Sequence, residues 1–260
     1  MTADRISFDR AAEYYDRTRS APESTRRKLT DILTKELAPR GRVLEIGVGT
    51  GRVALPLHER GIELTGVDVS RAMMAKLVGK SGGVVPFPLV QGDALGLPFT
   101  DGTFGAAFAV HVLHLIPDWR RAVAEMVRVV RPGGAVMVDQ GHPAGRRWRE
   151  AVQRRFEQET AVERRFTGLS DLRDLDEAMA ALGATLRLLP AVGARVASVP
   201  EQVIAELEEG LYSWTWQVEP ETRRRAGAAT RAWARNRWGD LERPRWSAWR
   251  VQWRAYDLPA

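Results

Sequence analysis

Val43-Leu44-Glu45-Ile46-Gly47-Val48-Gly49-Thr50-Gly51-Arg52 is the stretch that decides the fold. From Arg42 it is a short apolar run that stops at a glycine, the pattern of a buried strand. Three alternating glycines then carry the chain into a helical segment, Gly51 to Arg60, closed by Gly61. Working outward, Ile62 to Asp68 reads as a second strand, and Ser70 is placed to cap a helix from Arg71 to about Val78. Phe87 to Gln91 and Phe104 to His111 read as the third and fourth strands. Asp118 to Arg131 is amphipathic, with Ala122, Met126 and Val129 or Val130 facing inward. Pro132-Gly133-Gly134 ends it, and Ala135 to Asp139 is a fifth strand. Strands alternating with helices predict an α/β fold, a Rossmann-like parallel sheet with helices on both faces. In such sheets ligands bind beyond the carboxyl ends of the strands.

The flanks are mostly helical. Residues 1–40 read as helices, the second opened by Pro22 and stopped by Pro39 after about Leu37. Residues 41–140 read as a Rossmann-like core. Residues 141–260 read as helical insertions (144–182 and 201–240) plus the last two strands of the core sheet, near 184–189 and 246–256. Trp249, Val251 and Trp253 alternate with Arg250, Gln252 and Arg254, as in a half-buried strand.

Composition narrows the function classes. The 260 residues are 44% hydrophobic, enough for one substantial core with a smaller appendage. No stretch approaches the roughly 20 apolar residues of a membrane helix. Met1 to Arg10 is charged, unlike a secretory signal, so a cytoplasmic protein is expected. Cysteine is absent, which excludes disulfides and thiolate chemistry. The four histidines, His58, His111, His114 and His142, do not make a ligand set, and no metal is expected. The net charge of +6 raises the question of a nucleic-acid partner. The clusters Arg146, Arg147, Arg149 and Arg223, Arg224, Arg225 lie in helical patterns, however, and a solvated helix face accounts for them.

The strand ends carry the chemistry. Glycines at a strand–helix junction allow a sharp turn and let a ligand lie against bare backbone, and a helix N-terminus offers free amides. A dinucleotide site shows Gly-x-Gly-x-x-Gly; here the spacing is Gly-x-Gly-x-Gly, which argues against a nicotinamide-dependent oxidoreductase. Asp68, about 20 residues beyond the glycines, is placed to accept both hydroxyls of a ribose, or to cap the next helix. Asp93, in Gln91-Gly92-Asp93-Ala94, can accept from an exocyclic amino group, with the Ala94 amide beside a ring nitrogen. The alternative is a turn Asp bonding its own backbone.

In order, VLEIGVGTGR, LTGVDVS, QGDALGLPF, FAVHVLHLIPDW and RVVRPGGAVMV resemble the class I S-adenosylmethionine-dependent methyltransferases, closest to the small-molecule branch called type 11. The resemblance spans about residues 8–140. It implies a seven-stranded sheet with the final strand inserted antiparallel, and S-adenosyl-L-methionine as cofactor. It implies that Glu45, Gly47, Gly49 and Gly51 surround the methionine part, that Asp68 holds the ribose with Val69 beside the adenine, and that Asp93 and Ala94 recognise adenine. Val110 and His111 would then lie near the sulfonium. The segment from Phe8 to Arg19 resembles the start of this branch and implies that Tyr15 and Arg19 cover the cofactor. Arg19 could pair with the methionine carboxylate; a surface arginine and a core tyrosine are the plain alternative. Two departures stand out. Gly105 replaces an acidic residue common in relatives, and Val110-His-Val-Leu-His114 lacks the Asn/Asp-Pro-Pro-aromatic motif of nucleic-acid amine methylation.

The expected function is methyl transfer, by in-line displacement, to a small molecule. The competing readings are an RNA or other macromolecule methyltransferase and a catalytically silent cofactor-binding regulator. Positioning supplies much of such a reaction's acceleration, and a base is needed only if the acceptor must lose a proton. His111 and His114 are the candidates, with His142 a third. Tyr212, Trp214 and Trp216, in Leu211-Tyr-Ser-Trp-Thr-Trp216, are candidates to line an acceptor pocket, or else anchor the helical cap. The composition leaves oligomeric state open.

Overall fold

A computed structural model describes residues 8–18, 22–139, 147–162 and 167–260. In chain order its elements are α1 (Tyr15–Thr18), α2 (Glu23–Leu37), β1 (Val43–Ile46), α3 (Ala54–His58), β2 (Leu64–Asp68), α4 (Arg71–Lys80), β3 (Leu89–Gln91), β4 (Phe104–Val110), α5 (Trp119–Val129) and β5 (Val130–Asp139). There follow α6 (Arg147–Thr160), α7 (Leu172–Ala181), β6 (Thr185–Leu188), β7 (Val192–Ser198), α8 (Pro200–Glu208), α9 (Pro220–Trp238), β8 (Arg245–Val251) and β9 (Arg254–Asp257). The chain forms two compact units. The first is Met1–Gly141, Phe166–Val192 and Val251–Ala260; the second is His142–Arg165 and Gly193–Arg250.

The first unit holds a seven-stranded sheet in the order β3-β2-β1-β4-β5-β9-β6. The strands from β1 to β5 pair in parallel, and β9 runs antiparallel between β5 and β6. Every residue of β1 and β4 is buried, as expected of parallel strands covered on both faces. Register sets Ile46 between Val67 and Ala109, and Asp68 beside Gln91. The carboxyl ends of β3, β2, β1 and β4 therefore lie in one row, and the loops that follow them leave from one edge.

Helix α5 shows the amphipathic spacing read from its sequence: Ala122, Val123, Met126 and Val129 are buried and join Leu44, Phe104 and Val136 in the main core. Residues 52–53 stay outside regular helix, so α3 is shorter than its pattern suggested, and β3 begins two residues later than expected. At Gly105 a Cβ would collide with the Arg40 carbonyl, which is why a side chain common in relatives has no room here.

The segment after residue 141 divides between the two units. Helix α7 packs Leu175 and Met179 into the core of the first unit. Asp176 of α7 accepts from the Tyr256 hydroxyl at 2.7 Å and from Arg254 Nε at 2.9 Å, which binds the helix to β9. Further along the edge, Arg187 of β6 donates two bonds to Glu36 of α2, at 2.9 and 2.7 Å, and two to Asp257 of β9, at 3.0 and 3.1 Å. The final strand pattern is also two strands rather than one. β8 pairs with β7 in a separate ribbon, whereas β9 enters the main sheet. Between them Trp253 is buried edge-on to Phe108, ring centroids 5.9 Å apart, and its carbonyl accepts from the Leu189 amide at 3.0 Å.

The second unit packs α6, α8 and α9 around Val152, Phe156, Val203, Ile204, Leu207, Ala226 and Ala234. Its basic clusters are not wholly solvated faces, contrary to the reading from sequence. Arg223 is 8% exposed and donates to the carbonyls of Glu208 at 3.0 Å and Val218 at 2.6 Å, satisfying backbone acceptors that burial would otherwise strand. Arg149 donates to Ser198 Oγ at 3.0 Å and to the Tyr212 hydroxyl at 3.2 Å.

Candidate cofactor site

The loop after β1 has an unusual backbone: Gly47, Gly49 and Gly51 have φ of 68°, 54° and 73°. This left-handed region is costly for residues with a Cβ. At Gly47 a side chain would also collide with Val112 of the turn after β4. The alternation of glycines is thus dictated by the path, and it leaves a bare backbone cradle at the centre of the row of strand ends.

Asp68, at the end of β2, fastens that cradle. Its Oδ2 accepts from the Gly49 amide at 2.8 Å, and its Oδ1 accepts from the Ser70 amide at 2.8 Å. Burial raises the Asp68 pKa, while the two amides pull it down, and nearby Asp9 adds to the rise. Asp68 therefore holds the glycine loop, and its bond to the Ser70 amide is the capping role weighed from sequence. Val69, the next residue, is 46% exposed, an apolar surface beside the acid. Glu45 lies beneath the loop, 3% exposed, with its Oε2 buried and unpartnered. Burial holds its pKa well above the ordinary 4.5, against a smaller opposing pull from Arg52.

After β3, Asp93 Oδ1 accepts from the Leu95 amide at 3.0 Å and the Asp93 carbonyl accepts from the Gly96 amide at 3.1 Å, a tight turn with Ala94 buried. After β4, His111 adopts φ 53° and its amide donates to the Asp139 carbonyl at 2.9 Å. A left-handed non-glycine residue costs about 1–3 kcal/mol and clusters at functional sites. His114 sits in the 3-10 turn Leu113–Leu115 and is half-buried. Val110 is buried at the strand end.

The N-terminal segment reaches the same edge. Asp16 Oδ1 accepts from Thr50 Oγ1, within the glycine loop, at 2.7 Å; Asp16 also pairs with Lys80, which donates to the Thr50 carbonyl at 2.9 Å. Asp9 bonds the Ser70 hydroxyl. Tyr15 is half-buried and stacks edge-on with Phe8, centroids 6.0 Å apart. The structure thus brings together Glu45, the three glycines, Asp68, Val69, Asp93, Ala94, Val110 and His111 along one edge, with Asp9, Thr50 and Asp16 in addition. Those three were not singled out from sequence, because a lone Asp or Thr carries no local signal of its distant partner. Arg19 and His142 lie outside the described residues.

Tyr212, Trp214 and Trp216 belong to the second unit. The Tyr212 hydroxyl donates to Glu206 at 2.6 Å, and burial pushes its pKa up to about 12. Trp214 packs edge-on to Phe156 at 6.0 Å, and Trp216 Nε1 donates to the Gly210 carbonyl at 2.9 Å.

The sheet order with its inserted antiparallel strand defines the fold of the class I methyltransferases. The fold resembles the crystal structure of YcgJ from Bacillus subtilis, with a TM-score of 0.58 and 18% identity, covering 89% of this chain and 98% of that one. Residues 44–138 match a family described as a methyltransferase domain. The chain is 38% identical over 135 residues to a phosphatidylethanolamine N-methyltransferase of Cereibacter sphaeroides, covering 51% of this chain and 64% of that protein. It is 39% identical over 118 residues to a demethylmenaquinone methyltransferase of Thermus thermophilus, covering 44% and 52%. The chain spans about half to two thirds of the length of these curated relatives. Residues 44–138 are similar to the methyltransferase domains of the type 11 branch, a class whose cofactor is S-adenosylmethionine. The site fits that group: bare glycine backbone, an unpartnered buried carboxyl oxygen at Glu45 and an exposed valine beside a carboxylate offer polar and flat apolar surfaces in one row. Among the described residues no helix is long and apolar enough to cross a membrane.

Proposed function

We propose that the protein is an S-adenosylmethionine-dependent methyltransferase that acts on a small molecule in the cytoplasm. The observation that carries this reading is the Asp68 carboxylate bound to the Gly49 amide inside a left-handed glycine loop. When bound, the cofactor supplies a methyl group on a sulfonium, already a strong leaving group.

The chain's own residues hold and orient. Glu45 and the backbone of Gly47, Gly49 and Gly51 receive the amino-acid end. Asp68 accepts the ribose hydroxyls, and Val69 packs against the adenine face. Asp93 and the Ala94 amide read the adenine edge, and Val110 and His111 border the transferable group. Tyr15 and Arg19 belong to the same proposal as a cover. This row of surfaces presents one face of the donor to an acceptor, so that approach in line with the departing bond is a matter of positioning. His111 and His114 are the proposed bases where the acceptor must lose a proton; the strained backbone of His111 supports its assignment. For Tyr212, Trp214 and Trp216, the bonds within the second unit support anchoring rather than an acceptor lining.

A small acceptor is supported by the two relatives, whose names refer to phosphatidylethanolamine and demethylmenaquinone. Calorimetric titration with S-adenosylhomocysteine tests the binding half of the proposal: saturable 1:1 uptake is expected, with Asp68→Ala weakened at least about tenfold through lost charge-assisted bonds. No uptake by folded protein refutes it. Transfer of labelled methyl to a panel of small amines, phenols and carbon acids tests the catalytic half.

A further inference from the structure

Arg128 and Glu125, on the last turns of α5, make a set of bonds that the site as described does not use. Glu125 Oε2 accepts from the Leu97 amide at 2.7 Å. Arg128 Nη2 donates to the Leu97 carbonyl at 3.0 Å, and its Nη1 donates to the Phe99 carbonyl at 2.8 Å and to Asp101 Oδ1 at 2.7 Å. The two side chains are themselves joined twice, at 2.8 Å each. In addition, the Gly102 amide donates to the Arg128 carbonyl at 3.0 Å.

These bonds grip the loop that follows β3. One end of that loop is the turn closed by Asp93 on the Leu95 and Gly96 amides. The other end is held by the guanidinium and carboxylate of one helix, with Leu97 buried between and Phe99 edge-on to Phe104 at 5.0 Å. A loop of this kind has little regular structure to fix it. Its position depends on bonds from a rigid neighbour, and α5 is rigid because one face is sunk in the core. A guanidinium suits the task, since its planar fork can bond two carbonyls and a carboxylate at once, which an ammonium cannot do in the same geometry.

We propose that Arg128 and Glu125 are positioning residues that fix the adenine-recognition loop, and thereby set the preference of the site for the adenine edge. The proposal rests on the reading of Asp93 and Ala94 as the adenine contacts. Neither Arg128 nor Glu125 touches the ligand; each acts through the backbone of residues 97–102.

The test compares two probes, S-adenosylhomocysteine and its inosine analogue, in which a keto oxygen replaces the 6-amino group. Calorimetric Kd values are measured for both with the whole protein and its variants. A site that reads the amino group disfavours the keto analogue, and the wild type is expected to prefer the adenosyl compound by about tenfold or more. In Arg128→Ala that preference falls towards unity, because the loop no longer holds Asp93 against the ring edge. Arg128→Lys falls between, and Glu125→Gln also loses part of the preference. Glu23→Gln, which weakens only an exposed ion pair on α2, leaves it unchanged. If Arg128→Ala does not fold, Arg128→Lys and Glu125→Gln carry the test. A purely structural role would weaken both probes equally and leave their ratio intact, and that outcome overturns the proposal. So does a wild type that binds both probes alike. A wild type that binds neither instead overturns the proposed function, which keeps the two failures apart.

Discussion

At Glu45 a carboxyl sits beneath a loop of amides with one oxygen lacking any partner. An ionised carboxylate in that place is poorly solvated, so burial keeps the proton on. The folded chain therefore binds a proton that the unfolded chain releases near pH 4.5. The sign follows: this group's contribution is fully present below pH 4.5 and is lost as pH rises through its raised folded value. Glu45→Gln, which cannot ionise, is expected to flatten that slope, so that the variant gains stability relative to wild type between pH 4.5 and neutrality. Thermal midpoints of both proteins across that range check it; parallel curves would contradict it. Gly47 is the second residue with a sharp expectation. Alanine there meets both a left-handed φ and the Val112 side chain, and a loss of about 2–4 kcal/mol is expected in urea unfolding. The alanine variant is also expected to bind S-adenosylhomocysteine more weakly. Of these two residues the glycine was legible in the sequence as part of a spaced motif. The lack of a partner at Glu45 Oε2 was not, because partnership depends on what the remaining chain brings near.

Among the elements, α4 illustrates a signal that is local and so readable. Ser70 precedes it, and its hydroxyl accepts from the Met73 amide at 3.1 Å, the capping bond expected from its place in the sequence. The same hydroxyl bonds Asp9, which lies far away in the chain. Ser70→Ala should cost about 1 kcal/mol for the cap alone, and more if the bond to Asp9 matters. The double variant Asp9→Ala with Ser70→Ala, measured beside each single, separates the two: strict additivity would show that the N-terminal segment gains nothing from this contact. Element boundaries were less legible. Residues 249–254 alternate without a break, yet the chain changes sheets at Gln252 and Trp253. Periodicity records which side chains face inward, and it is silent on which sheet a strand joins.

For the whole molecule, the division into two units redistributes the charge. The second unit, His142–Arg165 and Gly193–Arg250, holds 17 arginines against 12 acidic residues, so nearly all the net charge of +6 resides there. Part of it is consumed internally, by Arg149, Arg223 and by Arg231, which grips Glu208 with bonds of 2.8 and 2.6 Å. The proposed cofactor surfaces, by contrast, all lie in the first unit. A ligand that binds only the folded state, present at 100 times its Kd, adds about 2.7 kcal/mol. For a chain of this size that corresponds to a rise of about 5–10 °C in Tm. S-adenosylhomocysteine is expected to produce this rise, and Asp68→Ala to abolish most of it at the same ligand concentration. An equal rise in both proteins would remove Asp68 from the binding surface.

By itself the sequence determined what depends on neighbours along the chain: the run into Gly47-Val-Gly49-Thr-Gly51, the cap at Ser70, the inward face of α5 and the order of five motifs that resembles the type 11 methyltransferases. These are short-range matters of backbone freedom, capping and periodicity, and adjacent residues suffice to fix them. Only the tertiary structure decided which distant groups meet: Asp68 on the Gly49 amide, Asp16 on Thr50, Arg128 on the loop after β3, α7 on β9 instead of in the helical appendage, and the buried engagement of Arg223. Each of these is a hydrogen bond or ion pair between separate elements that only packing brings together. The desolvation each group faces, and hence the partner it requires, exists only once the chain has closed around it.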